Sequence, residues 1–169
     1  MTATYESFLA SKRLVVPSVG HAIQDALIHS KLFPFQRDLT RWAIRKGRAA
    51  IFADTGLGKT FMQLEWARLV GKTLIVAPLS VAHQTIREAA KIGLNVEYSR
   101  AGPIGPITIT NYEMIDHFNP TDFEAVVLDE SSILKALDGK TRQRLTEMFA
   151  LTPYRLCCTA TPAPNDITE

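Results

Sequence analysis

The run AAIFA (49–53), followed at once by Asp54-Thr55-Gly56-Leu57-Gly58-Lys59-Thr60 and then FMQLEWARLV, constrains this chain more than any other feature. An apolar strand enters a glycine-bearing turn, and the turn opens a helix. Glycine lets the backbone approach a ligand closely, and the first amides of the helix point into the turn, which suits a phosphate. Lys59 can reach β- and γ-phosphates and Thr60 can ligate Mg2+. Thr55, Gly56, Leu57, Gly58, Lys59 and Thr60 therefore form a candidate loop for ATP or GTP, as against a coincidental strand, turn and helix. Ala53 replaces the usual first glycine, which is tolerable where its φ is negative.

Such a loop implies a second buried strand ending in a carboxylate near the metal, and VVLDE (126–130) provides one. Asp129 is the candidate Mg2+ holder through its water shell, and Glu130 the group that orients or deprotonates an attacking water. The plainer alternative makes the two acids a helix cap after a strand.

Similar apolar runs recur at TLIVA (73–77), more weakly at NVEYS (95–99), and at PITIT (106–110), AVVLD (125–129) and RLCCT (155–159), with helical stretches between. This alternation predicts an α/β fold, mainly a parallel sheet with helices on both faces. Phe35, Leu39, Trp42 and Ala43 fall on one stripe of a helix ending near Gly47, which predicts that this stripe faces inward. Residues 60–70 continue the loop into a helix, and Ser80 is placed to cap another running toward Ile92. SRAGPIGP (99–106) is a turn-rich connection. Residues 139–151 read as an amphipathic helix with Leu145, Met148, Phe149 and Leu151 inward.

Composition excludes several classes. No apolar run reaches the ~20 residues of a membrane span, and MTATYESFLASKR has no basic-then-apolar signal pattern, so an intracellular, cytoplasmic protein is expected. The adjacent Cys157 and Cys158 fit neither a disulfide framework nor a zinc site and read as strand residues. His21, His29, His83 and His117 lack ligand spacing, so no structural metal held by side chains alone is expected. Net charge is only +2, although residues 1–50 hold eight Lys and Arg against three acids. The group from Arg37 to Arg48 reads as a solvated helix face or as a DNA contact.

The ordered motifs resemble superfamily 2 helicases, and within them the Snf2-like group. PFQ (34–36) looks like the adenine-reading segment, in which Gln36 would hydrogen-bond the base edge. DTGLGKT resembles motif I, LIVAPLS (74–80) motif Ia, ITNYE (109–113) motif Ib, LDESS (128–132) motif II and CTATPAPND (158–166) motif III. Ser131 and Ser132 stand where other members carry Ala-Asp, Ala-His or Gly-His, a variation associated with phage-type members. The resemblance runs from about residue 33 to the end. It implies the first RecA-like P-loop domain over 33–169, with an extension over 1–32 packed on or beside it.

The same resemblance implies ATP and Mg2+ as cofactors, with Lys59, Asp129 and Glu130 in catalysis. DNA is the implied partner, met through backbone contacts by Pro78, Ser80, Thr110 and Asn111, while Thr159 and Thr161 relay between nucleotide and nucleic acid. The family's second RecA-like domain, with its arginine finger, is not found in the sequence. The expectation is a nearly inactive fragment of a helicase or translocase in phage replication, recombination or fork remodelling, in the host cytoplasm if phage-encoded. Alternatives are the motor of a restriction system, a nucleotide-dependent interaction module, and a small-molecule kinase with Arg142 and Arg144 as its lid.

Overall fold

In the computed structural model, residues 17–136 and 139–162 are described. The end of the motif III segment and the first sixteen residues of the expected extension lie outside them. The six strands are β1 (Arg48–Phe52), β2 (Thr73–Ala77), β3 (Glu97–Tyr98), β4 (Ile107–Asn111), β5 (Ala125–Asp129) and β6 (Tyr154–Thr159). They form one all-parallel sheet in the order β1-β6-β5-β2-β4-β3. All six apolar runs thus become strands, with NVEYS reduced to two residues.

Parallel strands joined by crossovers need cover on both faces. One face carries α1 (Pro34–Lys46), α2 (Lys59–Val70) and α3 (Leu79–Lys91), whose side chains join Ile51, Ile75, Ile109, Val127 and Leu156 in the larger core. On the other, a 3-10 turn at Tyr112–His117 and α5 (Gly139–Met148), which follows the short α4 (Ile133–Ala136), pack on Leu74, Val76 and Val126. The strands most sheltered by this arrangement, β2 and β4, are buried throughout. Among the described residues no helix is long and apolar enough to cross a membrane.

Four expectations change. In α1 the inward residues are Gln36, Thr40, Ala43 and Ile44, while Phe35, Leu39 and Trp42 are 44%, 37% and 38% exposed. The helix is rotated by one residue because Gln36 is drawn inward by hydrogen bonds at the loop. β1 is an edge strand and leaves Phe52 63% exposed, so the run that enters the loop is sheltered on one face only. Pro78, not Ser80, occupies the N-cap of α3. Leu145 and Phe149 are buried as expected, but Leu151 lies past the end of α5 and is 94% exposed.

Candidate nucleotide site

The turn after β1 takes its shape from two left-handed residues, Gly56 (φ 85°) and Gly58 (φ 73°). A side chain at Gly58 is disfavoured by its φ, and a Cβ there would lie 2.3 Å from Gln36 Nε2, so the amide would have to shift from its contact with the loop. Gly56 has open space where its Cβ would be. Leu57 N donates to Asp54 O (3.2 Å), and Thr55 N to Asp54 Oδ1 (2.6 Å), which closes the turn from within. Ala53 has the negative φ its position requires, since Glu130 is the only non-glycine with positive φ among the described residues.

Gln36 sits behind the loop, not on an open surface. Its Oε1 accepts from Phe33 N (2.9 Å) and its Nε2 donates to Leu57 O (2.9 Å), with 3% of the residue exposed. The first contact caps α1 and the second fixes the loop. Neither role follows from the sequence, where the family resemblance implies a base edge for this amide.

Gly58 is also the N-cap of α2, and among the described residues no side chain caps that end. Lys59 and Thr60 open the helix, so its positive end faces the turn. The loop, Lys59, Thr60, Phe61, Asp129 and Glu130 line one cavity of about 360 Å3. Its far wall is Val81, Gln84 and Glu88 of α3, which no sequence motif indicated. β6 lies between the strands that carry the two halves. Ala53 N donates to Thr159 O (3.2 Å) and Ser131 N to Cys158 O (2.9 Å), so the end of β6 touches both the loop and the acidic pair.

The acidic pair is held tightly. Asp129 is 2% exposed; Gln63 Nε2 donates to its Oδ2 (2.8 Å), Glu130 N to its Oδ1 (2.9 Å) and Tyr112 Oη to its main-chain oxygen (2.8 Å). Burial raises the Asp129 carboxyl above its ordinary range, against the hydrogen bonds from Gln63 and Glu130 N, which favour the anion. Burial likewise raises the Tyr112 phenol, so it remains a donor. Glu130 carries the left-handed backbone (φ 50°), and its Oε1 lies 2.9 Å from Lys59 Nζ. Gln63 stands outside the quoted motifs, and Tyr112 lies within ITNYE (109–113), where nothing in the sequence ties its hydroxyl to Asp129.

The donor set fits Mg2+ and a polyphosphate. A hydroxyl at Thr60 and a carboxylate at Asp129 on one cavity are hard oxygen ligands of the kind Mg2+ takes beside phosphate oxygens and water. The open space at Gly56 and the uncapped helix end supply the cradle.

The expected nucleic-acid residues divide. Pro78 is half-buried and Ser80 exposed on the first turn of α3. Thr110 is fully buried and donates its hydroxyl to Ser99 O (2.8 Å). Asn111 is 6% exposed, accepts from Tyr98 Oη (2.5 Å) and donates to Glu113. Both side chains are engaged in hydrogen bonds that pin the end of β4. Thr159 is 2% exposed, and its hydroxyl accepts from the exposed Thr161's amide (3.2 Å). In α1, Arg37 pairs with Asp25 (2.6 Å) and Arg41 with Asp38 (2.5 Å), which supports a solvated, ion-paired face. Arg144 is bridged to Asp116 (2.8 Å) beside a different cavity and forms no lid over the loop.

No family model matches the chain. It is 27% identical over 159 residues to the mouse (Mus musculus) DNA annealing helicase and endonuclease ZRANB3, covering 80% of this chain and 15% of that protein. It is 30% identical over 138 residues to the Xenopus tropicalis SWI/SNF-related matrix-associated actin-dependent regulator of chromatin subfamily A-like protein 1, covering 71% and 14%. The chain thus spans about one seventh of the curated relatives it matches. Among solved structures, the UvsW helicase from bacteriophage T4 superposes with a TM-score of 0.68 at 13% identity, over 98% of this chain and 63% of that one. A hypothetical ATP-dependent RNA helicase from Sulfolobus tokodaii gives 0.54 at 15% identity, over 92% and 49%. The fold is that of a RecA-like helicase domain, and the resemblance carried by the ordered motifs is borne out.

Proposed function

We propose that this chain, a relative of the Snf2-like superfamily 2 helicases, is the ATP-binding domain of a DNA helicase or translocase that couples hydrolysis to movement. The observation that carries the reading is convergence. Lys59 and Thr60 from one end of the sheet meet Asp129 and Glu130 from its middle on a single cavity, with the end of β6 between them.

Thr55 to Thr60 would wrap the phosphates with loop amides, and Lys59 would exchange its contact with Glu130 for one to a phosphate oxygen. Thr60 and Asp129 would hold Mg2+, Asp129 through water. When bound, Mg2+ neutralises charge on the departing phosphoryl group. Glu130, released from Lys59, is then free to accept a proton from the attacking water at its carboxylate. Gln36 reaches the nucleotide through the loop it braces, and through its own amide only if the base approaches the start of α1.

The reading assigns a DNA backbone to the exposed start of α3, at Pro78 and Ser80, with Thr110 and Asn111 shaping the neighbouring strand end from within. Thr159 and Thr161 are the coupling residues, since β6 bonds to both the loop and the segment after Glu130. A second RecA-like domain would face the cavity and contribute an arginine finger, worth roughly 10³ to 10⁵ in rate, or about 4 to 7 kcal/mol. The 169-residue chain alone is accordingly expected to bind ATP weakly and to hydrolyse it very slowly. The mouse relative, named as a DNA annealing helicase, supports a role in replication, recombination or fork remodelling, inside the cell.

The test is ATP turnover with no DNA, single-stranded DNA and duplex DNA, on the chain alone and joined to a second RecA-like domain. Stimulation by DNA only in the joined protein supports the reading, and the better-stimulating strand type separates strand opening from duplex translocation. Brisk, DNA-independent turnover by the chain alone would refute it.

A further inference from the structure

We propose that Gln63 is a positioning residue for Mg2+, an inference that rests on the phosphate-site reading above. Gln63 is fully buried in α2, and its Nε2 donates to Asp129 Oδ2 at 2.8 Å. Its Oε1 is also buried and has no hydrogen-bond partner among the described residues. An amide kept to knit a core together is ordinarily satisfied at both ends. This one uses only its donor, and the donor is aimed at the candidate metal carboxylate. The orientation follows from chemistry, because an ionised carboxylate only accepts, so the opposite flip would set oxygen against oxygen.

The placement of Gln63 on α2 gives the contact its consequence. Gln63 follows Thr60 by three residues on the same helix, hence on the same face. One rigid element therefore carries the Thr60 hydroxyl and the amide that fixes Asp129. With Oδ1 taken by Glu130 N and Oδ2 by Gln63, the carboxylate plane cannot turn, and its remaining lone pairs are held in place at the cavity. Outer partners of this kind commonly set metal affinity by a factor of about 10 to 100.

The decisive variants are Gln63→Met, which keeps the volume without the donor, and Gln63→Asn, which keeps an amide one methylene too short for the 2.8 Å contact. The fluorescent probe mant-ATP is titrated into the 169-residue chain with Mg2+ and with EDTA, and thermal melting is followed in parallel. Both variants are expected to bind the probe in EDTA within about twofold of wild type and to lose about tenfold or more of the Mg2+ enhancement. Gln63→Met also leaves Asp129 Oδ2 without its donor and is expected to melt lower than wild type in metal-free buffer, so melting checks folding, whereas a purely structural role would weaken the probe in EDTA as much as in Mg2+. Should Gln63→Met fail to fold, Gln63→Asn alone decides. Wild-type Mg2+ enhancement retained in the variants overturns the inference and leaves the phosphate site standing. A wild type that binds mant-ATP neither with nor without Mg2+ overturns both.

Discussion

Lys59 Nζ lies 2.9 Å from Glu130 Oε1, so the loop lysine and the strand-end glutamate neutralise each other across 71 residues of sequence. The side chains are 12% and 36% exposed, which keeps the pair partly solvated and worth at most about 1 kcal/mol. A nucleotide must break this contact to recruit Lys59. Glu130→Gln weakens the contact without emptying the site. It is expected to bind ATP as tightly as wild type or up to about fivefold more tightly, while turnover in the joined two-domain protein falls about 10²- to 10⁴-fold. Parallel binding and steady-state assays check this. Equal losses of affinity and turnover would make Glu130 a binding group and contradict its assignment.

Glu130 is the one non-glycine residue with left-handed backbone among the described residues. That conformation costs a residue with a Cβ about 1 to 2 kcal/mol and costs glycine little. Glu130→Ala and Glu130→Gly both delete the carboxylate and its contact with Lys59, so their difference isolates the backbone. The glycine variant is expected to be more stable than the alanine variant by about 1 kcal/mol, or about 2 to 4 °C in Tm. Equal melting would show that the turn after β5 relaxes when the side chain goes.

The motif-bearing parts of the site were legible because each is contiguous. The loop from Asp54 to Thr60 and the Asp129-Glu130 pair are strings whose chemistry follows from spacing. What joins them was not legible. Gln63 and Asp129 are 66 residues apart, and Gln36 and Leu57 are 21 apart. α1 shows the same limit within one helix. Phe35, Leu39 and Trp42 and the buried Gln36, Thr40 and Ala43 follow the same spacing one residue out of phase, and hydropathy favoured the first set. The second wins because Gln36 meets two backbone partners there, at the helix start and in the loop. Thr110 and Asn111 stand in the sequence as candidate DNA-backbone contacts, and in the fold Ser99, Tyr98 and Glu113 take up their hydrogen bonds.

The raised carboxyl of Asp129 makes stability depend on pH. Burial is the main cause, and the ordinary value is 3.8. For an acid whose pKa is higher folded than unfolded, the favourable term is complete below the unfolded value and is lost as pH rises through the folded one. At neutral pH the buried anion therefore opposes folding. Asp129→Asn should be more stable than wild type near neutrality in metal-free buffer, and the gap should close below pH 3.8. Denaturant melts across that range provide the measurement. A less stable Asp129→Asn at neutral pH would mean that the hydrogen bonds to the carboxylate outweigh its burial.

Behind the site, Glu65 ties the segment before α1 to α2. The glutamate side chain is fully buried and accepts from His29 N (2.7 Å) and from Arg68 Nε and Nη2 (2.9 and 2.6 Å). Arg68 Nη2 also donates to Leu27 O (2.6 Å), and the Glu65 hydrogen bond raises the Arg68 pKa, which keeps the guanidinium charged. The partners are unequal. Arg68 is 35% exposed and can regain water, whereas Glu65 cannot. Arg68→Ala strands a buried carboxylate and is expected to cost about 3 kcal/mol or more. Glu65→Gln leaves an acceptor for His29 N and a solvated arginine, and is expected to cost about 1 to 2 kcal/mol. The double variant Glu65→Gln/Arg68→Ala should lose less than the sum of the two, because the stranded charge is gone. Urea melts of the three proteins check the order. A cost for Arg68→Ala no larger than that for Glu65→Gln would show that the carboxylate finds water or a proton once the arginine is removed. Nucleotide affinity of the folded variants should stay at the wild-type level, since neither residue lines the phosphate cavity.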